Sequence, residues 1–105
     1  MAQPPVILLR DAEQDLAELF ERVATENGLD RAELILRRIE TTIAGLAEWP
    51  RIGRLRNDLD GSPRVFAIWP WLVIYEPCED GMGIVVWRVL DGRRDLPVIV
   101  GPPAR

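Results

Sequence analysis

Residues 64–95, RVFAIWPWLVIYEPCEDGMGIVVWRVLDGRRD, decide the fold of this chain. The stretch holds five of the seven aromatic residues and eight β-branched ones, and turn-forming residues divide it into three strand-like runs. Proline cannot donate a hydrogen bond to a β-ladder, so Pro70 and Pro77 are expected at strand ends. The pattern predicts a three-stranded antiparallel meander. Its strands are Val65–Ile68, Leu72–Glu76 and Gly83–Leu90.

The residues before the meander predict one short strand and a pair of amphipathic helices. The apolar run Val6–Leu9 is long enough for one strand. Asp11 and Asp30 are each followed three residues later by Gln or Glu, which is the spacing of a capping box, so each is expected to start a helix. Gly28 can end the first helix, and Pro50 closes the second. Because the connection between the helices is short, they should lie antiparallel.

The order of these elements predicts an α+β fold. A helical hairpin packs on one face of a mainly antiparallel sheet of about four strands, in the order β-α-α-β-β-β. A chain of 105 residues suffices for one domain with one core. We expect the domain to span residues 1–105, with a core over 6–95 and a C-terminal tail over 96–105 that is either a short helix or an extended segment.

The sequence carries no signal for a membrane or for an oxidising compartment. The longest apolar run, Val65–Tyr75, is interrupted by Pro70 and is shorter than the ~20 residues that a membrane-spanning helix needs. No basic region followed by an apolar one opens the chain, so no signal peptide is predicted. Cys78 is the only cysteine, which excludes an internal disulfide and fits a reducing cytosol. We therefore expect a cytoplasmic protein without membrane contact.

The types of charged residue exclude several kinds of catalytic site. The chain has no histidine and no lysine, so all 13 of its basic side chains are arginine. Histidine triads, histidine metal sites and histidine general bases are therefore excluded. Arginine keeps its proton near neutral pH, but it binds carboxylates and phosphates in two-point contacts. Asp58 and Asp60 are a weak metal signal without a third ligand, so no metal and no cofactor is predicted.

The net charge of −4 conceals a difference between the two halves of the chain. Residues 1–50 carry five arginines against ten acidic residues, whereas residues 51–105 carry eight against seven. The first half is expected to be a solvated helical surface, and the second half is the better candidate for a functional face. An acidic chain argues against general nucleic-acid binding, so direct DNA binding by this chain alone is not expected.

Seven arginines and two tryptophans form the candidate partner-binding surface. We expect the loop before the first meander strand and the end of the third strand to share one end of the sheet, which would gather arginines distant in sequence. Alternatively, the arginines form surface ion pairs with aspartates, each contributing ~0–1 kcal/mol. Those aspartates are Asp58, Asp60, Asp91 and Asp95. The candidate residues are Arg51, Arg54, Arg56, Arg64, Arg88, Arg93, Arg94, Trp69 and Trp71.

Other side chains have both a structural and a functional interpretation. The four tryptophans either pack in the core or at its edge, or an exposed one anchors a partner. Tyr75 either hydrogen-bonds a phosphate held by the arginines or is half-buried, with its hydroxyl reaching water. Cys78 has no histidine to activate a thiolate, and we interpret it as incidental.

The order of elements, together with several short motifs, resembles the RelE/ParE superfamily of toxins from bacterial toxin–antitoxin pairs, and within it the ParE branch. The resemblance covers about residues 6–100, and it rests on the order and spacing of motifs that are individually weak. Asp91 departs from the pattern, since many relatives carry a histidine there. The motifs are Ala12–Leu16, Pro50–Arg54, Arg64, Val73–Tyr75 and Arg88–Asp95.

The resemblance implies two rival activities. ParE-like members, associated with plasmid stabilisation, poison DNA gyrase without being enzymes, whereas RelE-like members cut messenger RNA in the ribosome. In the ribonuclease alternative, Tyr75, Arg64 and Arg93 would be the catalytic residues. Because arginine holds its proton, the general-base role has no good occupant here, and we favour the non-enzymatic activity. A non-toxic relative that only binds its antitoxin is a third alternative.

The resemblance also implies partners for the chain. A small ParD-like antitoxin should bind and neutralise it in a hetero-oligomer, either a heterotetramer or a larger assembly. The flexible end of such an antitoxin folds when it binds the toxin. DNA gyrase would be the cellular target.

Overall fold

The computed structural model describes residues 3–94. The predicted tail at 96–105 lies outside this range, as do the first two residues and Asp95. The elements, in chain order, are β1 (Val6–Leu8), α1 (Arg10–Asn27), α2 (Leu29–Glu48), β2 (Arg54–Leu55), β3 (Arg64–Ile68), β4 (Trp71–Pro77) and β5 (Ile84–Asp91).

The strands form one mixed sheet in the order β1-β5-β4-β3-β2, so the predicted α+β fold is confirmed. β3, β4 and β5 make the predicted antiparallel meander, and β1 runs parallel to β5 with Val6 opposite Ile84. The sheet has five strands, where about four were predicted. The additional strand is β2, which pairs antiparallel with the start of β3. Its two residues are both exposed and show no alternating pattern, so the sequence gives no signal for it.

The helices end where predicted, but they do not begin as predicted. Gly28, with φ of 94°, is the single residue between α1 and α2, and α2 ends one residue before Trp49. The capping boxes predicted at Asp11 and Asp30 are wrong, because the N-cap residues are Leu9 and Gly28 and neither makes a side-chain cap. Both aspartates lie in the first helical turn instead, where a negative charge interacts favourably with the helix dipole. Within the described chain, neither helix has the length and apolar character needed to cross a bilayer.

The main core lies between the helical hairpin and one face of the sheet. Side chains alternate along β4, so Val73 and Tyr75 face the helices while Ile74 points to the opposite face. A smaller cluster of Ile74, Trp87 and Leu90 occupies that opposite face. Burying one Leu, Ile or Val side chain contributes ~1.5–3 kcal/mol. The larger core residues are Leu19, Val23, Ile39, Ile43, Leu46, Ile68, Trp71, Val73, Tyr75, Ile84, Val86 and Val89.

A bulge interrupts the ladder between β4 and β5. Ile74 pairs with Arg88 while Tyr75 pairs with Val86, so Trp87 is the extra residue. A bulge of this kind bends the strand and re-aims the side chains that follow it. Beyond the bulge, Arg88 and the backbone of Val89 reach α1.

Candidate functional site

The sheet separates the candidate arginines into two groups. Arg64 is level with Tyr75 and, across β4, with Val86, whereas Asp91 at the end of β5 is level with Trp71 and Ile68. β3 rises about 3.4 Å per residue, so the four steps from Arg64 to Ile68 place these two levels ~14 Å apart. The expectation that all the arginines gather at one end is therefore wrong. In a three-stranded meander the first and third strands run in the same direction, so the start of one and the end of the other lie at opposite ends.

We call the two groups the Arg64 end and the Arg93 end. The Arg64 end comprises Arg51, Arg54, Arg56 and Arg64, together with the β4–β5 turn. The Arg93 end comprises Arg93 and Arg94, together with the β3–β4 turn that carries Trp69. Arg88 belongs to neither group, since it lies within β5 against α1.

At the Arg64 end, Tyr75 and Arg64 fix the loop that follows α2. The Tyr75 hydroxyl donates to the carbonyl oxygen of Pro50 at 2.7 Å and accepts the N–H of Gly53 at 2.9 Å. The Arg64 guanidinium donates to the carbonyl oxygens of Arg51 at 3.1 Å and Gly53 at 2.8 Å. Residue 53 must be glycine, because a Cβ there would collide with the Tyr75 hydroxyl. We call these four hydrogen bonds the Tyr75–Arg64 clamp.

The environment of Tyr75 makes its phenol a structural group. The residue is fully buried in the main core, and burial raises the pKa of its hydroxyl, although the Gly53 hydrogen bond and the nearby Arg64 charge act in the opposite direction. Its proton is already donated to a backbone carbonyl. The sequence predicted that this hydroxyl binds a phosphate or reaches water. It bonds instead to the backbone of Pro50 and Gly53.

Arg56 and Arg93 are engaged in ion pairs with neighbouring aspartates, as the ion-pair alternative predicted. Arg56 makes a two-point contact with Asp58 at 2.6 and 2.8 Å, and this contact lowers the pKa of the Asp58 carboxyl to about 2. Arg93 binds Asp91 through its guanidinium, at 3.0 Å for the shorter contact, and through its backbone N–H at 2.8 Å. The hydrogen bond from Arg93 lowers the pKa of the Asp91 carboxyl.

Arg88 ties a helix to the sheet. Its guanidinium contacts both carboxylate oxygens of Asp15 in α1, at 2.7 and 2.9 Å, and the N–H of Val89 donates to the same carboxylate at 3.0 Å. Asp15 has a side chain only 10% exposed, while that of Arg88 is 34% exposed. The contact joins residues 73 positions apart in sequence, so no local pattern could have revealed it.

The tryptophans divide between core and surface. Trp71 and Trp87 are buried, so Trp71, a candidate for partner contact, offers no exposed ring. Trp69 at the Arg93 end is 67% exposed, and Trp49 at the Arg64 end is 70% exposed. Trp49 and the exposed Ile52 were not among the candidate residues. The only signal for them is their position beside Pro50 in a loop, where the helical pattern has ended.

No feature of the described residues favours a metal or a reactive thiolate. Among residues 3–94, no group of three or more Cys, Asp or Glu side chains is placed to hold a metal ion, so Asp58 and Asp60 gain no third ligand there. Burial raises the pKa of the Cys78 thiol, and the charges of Asp80 and Glu76 raise it further. None of these influences favours a thiolate at Cys78.

Comparisons with known proteins give a consistent relationship. The family model for the ParE toxin of the type II toxin–antitoxin system parDE matches residues 6–96. Toxin ParE3 of Caulobacter vibrioides is 38% identical over 96 residues, covering 91% of this chain and 94% of that protein. A solved structure from the chromosomal ParDE system of P. aeruginosa has a TM-score of 0.69 at 18% identity, covering 85% of this chain and 96% of its own. That last likeness supports the fold alone. The resemblance inferred from the sequence motifs is confirmed.

Proposed function

Because the chain belongs to the ParE toxin family of type II toxin–antitoxin systems, we propose that a small ParD-like antitoxin neutralises it and that it acts by inhibiting DNA gyrase. The observation that carries the proposal is the 38% identity to Toxin ParE3, which extends over nearly the full length of both chains. We place this activity in the cytoplasm, in keeping with a single cysteine that leaves no internal disulfide.

The geometry supports inhibition by binding over the ribonuclease alternative. A ribonuclease needs a group that takes a proton from the ribose hydroxyl and a cation free to meet the phosphate. The residues named for these roles are engaged in the fold: Tyr75 and Arg64 hold the loop after α2, and Arg93 binds Asp91. Their arrangement favours a toxin that acts through its surface.

The charge distribution supports an acidic partner. Arg51 and Arg54 at the Arg64 end and Arg94 at the Arg93 end form no salt bridge within residues 3–94. Exposed guanidinium groups attract carboxylates and increase the rate of association. We propose that the antitoxin presents acidic residues to these arginines, in a heterotetramer or a larger assembly. The acidic surface of α1 argues against direct DNA binding by this chain, so DNA contacts would belong to the antitoxin.

The first experiment tests toxicity and neutralisation in cells. The protein is expressed alone and together with the product of the adjacent reading frame. We expect growth arrest with DNA damage when it is expressed alone, and normal growth when both are expressed. Normal growth with the chain alone would instead assign it to the non-toxic antitoxin-binding relatives.

The second experiment identifies the target. Purified protein is added to DNA gyrase and relaxed plasmid, and supercoiling and gyrase-dependent DNA cleavage are measured; protein pre-mixed with the antitoxin is the control. We expect loss of supercoiling and accumulation of cleaved DNA, both reversed by the antitoxin. Unaffected gyrase, together with cleaved transcripts in arrested cells, would overturn the gyrase assignment in favour of a ribosome-dependent ribonuclease.

A further inference from the structure

The Arg64 end contains an apolar concavity of about 450 Å³. One wall is the chain leaving α2, and the other is the end of β4 with the turn that follows it. A cavity of this size accommodates a few side chains of a partner. Its lining residues are Trp49, Pro50, Arg51, Ile52, Pro77 and Gly81.

The concavity exposes large apolar side chains to water. Trp49 is 70% exposed and Ile52 is 64% exposed, and both line it. Contiguous apolar surface of this kind marks binding sites, and tryptophan and arginine are enriched among the residues that dominate binding energy. Both types of residue occur here, since Arg51 lies between the two apolar side chains in the sequence.

Both walls of the concavity are held before any partner arrives. The Tyr75–Arg64 clamp fixes the wall that carries Trp49 and Ile52. In the opposite wall, the N–H of Cys78 donates to Gly83 at 3.0 Å, closing the β4–β5 turn. The N–H of Gly83 in turn donates to the carbonyl oxygen of Ala47 in α2 at 3.3 Å, which joins the two walls. A preformed site loses little conformational freedom on binding, so more of the contact energy appears as affinity.

Among the described residues that line the concavity, Arg51 is the charged one, and it indicates which partner the concavity fits. Arg51 lines it and has no salt bridge within residues 3–94. The carboxylate of Asp80 in the opposite turn accepts the N–H of Met82 at 2.9 Å. An apolar cavity with an unpaired guanidinium at its rim is complementary to a bulky apolar side chain flanked by carboxylates.

We propose that this concavity docks an acidic peptide segment of the antitoxin, with one large apolar side chain seated between Trp49, Ile52 and Pro77 and a carboxylate on Arg51. The inference rests on the proposed function and adds the location of the contact and the chemistry of the bound segment. The concavity lies at the Arg64 end, so Arg94 at the Arg93 end would contact a separate part of the antitoxin. The clamp residues Tyr75 and Arg64 act as positioning residues, because they hold the loop and do not themselves line the cavity.

The test measures binding of the purified antitoxin from the adjacent reading frame by calorimetry. Trp49→Ala and Ile52→Asp change exposed side chains, and thermal melts should show that both variants remain folded. We expect Kd to rise at least about tenfold for each, as for the dominant residues of other interfaces. Arg51→Gln should also raise Kd and should weaken the dependence of binding on salt concentration.

The matched control is Leu34→Ala, which removes an apolar side chain of comparable exposure, 54%, from α2, outside the residues that line the concavity. We expect its Kd to stay within about twofold of the unmodified protein. Unchanged Kd for Trp49→Ala and Ile52→Asp, or a loss confined to Leu34→Ala, would overturn the proposed site. If Trp49→Ala no longer arrests growth but still binds the antitoxin normally, the proposed site is also overturned. The concavity would then contact the cellular target and not the antitoxin.

These outcomes are separate from failure of the proposed function, which would appear as no binding between the antitoxin and the unmodified chain.

A second probe is a synthetic peptide that carries the antitoxin's acidic apolar segment, compared with the same peptide in which Asp and Glu are replaced by Asn and Gln. We expect the acidic peptide to quench or shift the fluorescence of the unmodified protein but not that of Trp49→Phe. Equal binding of both peptides would overturn the role of Arg51. The chain could instead associate with itself through the concavity. A molecular mass that rises with concentration in the unmodified protein, but not in Ile52→Asp, would show this and overturn the peptide assignment.

Discussion

At the scale of single residues, Tyr75 connects parts of the chain that are far apart in sequence. Its one hydroxyl contacts Gly53, 22 positions away, and Pro50, 25 positions away. A buried hydroxyl that both donates and accepts leaves no polar group of this contact unsatisfied. The shape of the loop after α2 therefore depends on a residue in the middle of the sheet.

Replacing Tyr75 with phenylalanine tests this dependence. The ring is kept, but the buried N–H of Gly53 loses its acceptor, so we expect the free energy of unfolding to fall by ~1–3 kcal/mol. Urea denaturation followed by circular dichroism measures the change. An unaltered midpoint would show that water replaces the hydroxyl without cost, and that the clamp does not hold the loop.

Two glycines offer a matched pair of substitutions. In Gly53→Ala the new methyl group would collide with the Tyr75 hydroxyl, so we expect a loss of stability of ~1–3 kcal/mol. Gly45 lies inside α2 with open space around its Cα, and Gly45→Ala should raise stability by ~0.5–1 kcal/mol. Thermal melts of both variants check the signs, and changes of the same sign would contradict this account.

At the scale of elements, the contact between α1 and β5 combines helix and sheet in one hydrogen-bond network. Asp15 accepts two bonds from the Arg88 guanidinium and one from the N–H of Val89. β1 pairs with β5 only as far as Val86. Beyond that point, the N–H of Val89 donates to the Asp15 carboxylate. The carboxylate thus takes the place of a missing strand neighbour.

Asp15→Asn should expose the importance of that carboxylate. An amide cannot accept all three bonds, and hydrogen bonds to charged groups contribute ~1.5–3 kcal/mol, so we expect a loss in that range. Asp11→Asn, an exposed acid in the first turn of the same helix, should cost only ~0.3–1 kcal/mol through the helix dipole. Equal losses in chemical denaturation would contradict the special role of Asp15.

The turn after β5 predicts a dependence of stability on acid. The Arg93 contact lowers the pKa of Asp91 in the folded protein, so the ionised carboxyl stabilises the fold above the unfolded value of about 3.9. This stabilisation is lost as the pH falls through the lower, folded value. We expect Asp91→Asn to be less stable than the unmodified protein at pH 7 by ~1–3 kcal/mol, and we expect this difference to shrink as the pH falls below about 4.

Denaturation curves from pH 7 to pH 3 measure the effect. Asp60→Asn is the control, since this exposed carboxyl has no salt bridge within residues 3–94. A stability difference for Asp91→Asn that persists unchanged at pH 3 would indicate that the lost charge is not the cause.

The sequence predicts elements well where a repeating apolar pattern defines them. The meander follows from β-branched runs divided by prolines and glycines, and α2 ends where Pro50 requires it. Sequence patterns did not predict the helix starts correctly. The N-cap residues Leu9 and Gly28 make no side-chain cap, whereas Asp11 and Asp30 in the first turns have the spacing of a capping box. Sequence patterns also did not predict β2, whose two residues acquire strand geometry only by pairing with β3.

At the scale of the whole molecule, the position of the candidate site depends on topology. The candidate arginines all lie in the second half of the chain, but the direction of the strands separates all of them except Arg88 into two groups. The exposed Trp49 and Ile52 were missed because composition does not distinguish a buried tryptophan from an exposed one. The Tyr75–Arg64 clamp fixes the loop after α2, and only the structure shows that this arrangement leaves Trp49 and Ile52 exposed.

The separation of the two ends predicts how their effects combine. Substitutions at sites more than 7–10 Å apart without shared partners usually add. We expect the increase in the binding free energy of the antitoxin for the double variant Arg51→Glu and Arg94→Glu to equal the sum of the single effects within about 0.5 kcal/mol. Calorimetry on the four proteins closes the cycle, and a larger coupling would show that one partner segment bridges both ends.

The outermost strands of the described sheet are β1, with three residues, and β2, with two. A foreign strand laid along either margin would gain only a few main-chain bonds, which are the same for any sequence. If the proposed docking is right, recognition relies on side-chain identity at places such as the wall beside Pro50. A cell holding several toxins of this family could keep each one matched to its own antitoxin by changing a handful of surface residues, with the shared scaffold left untouched.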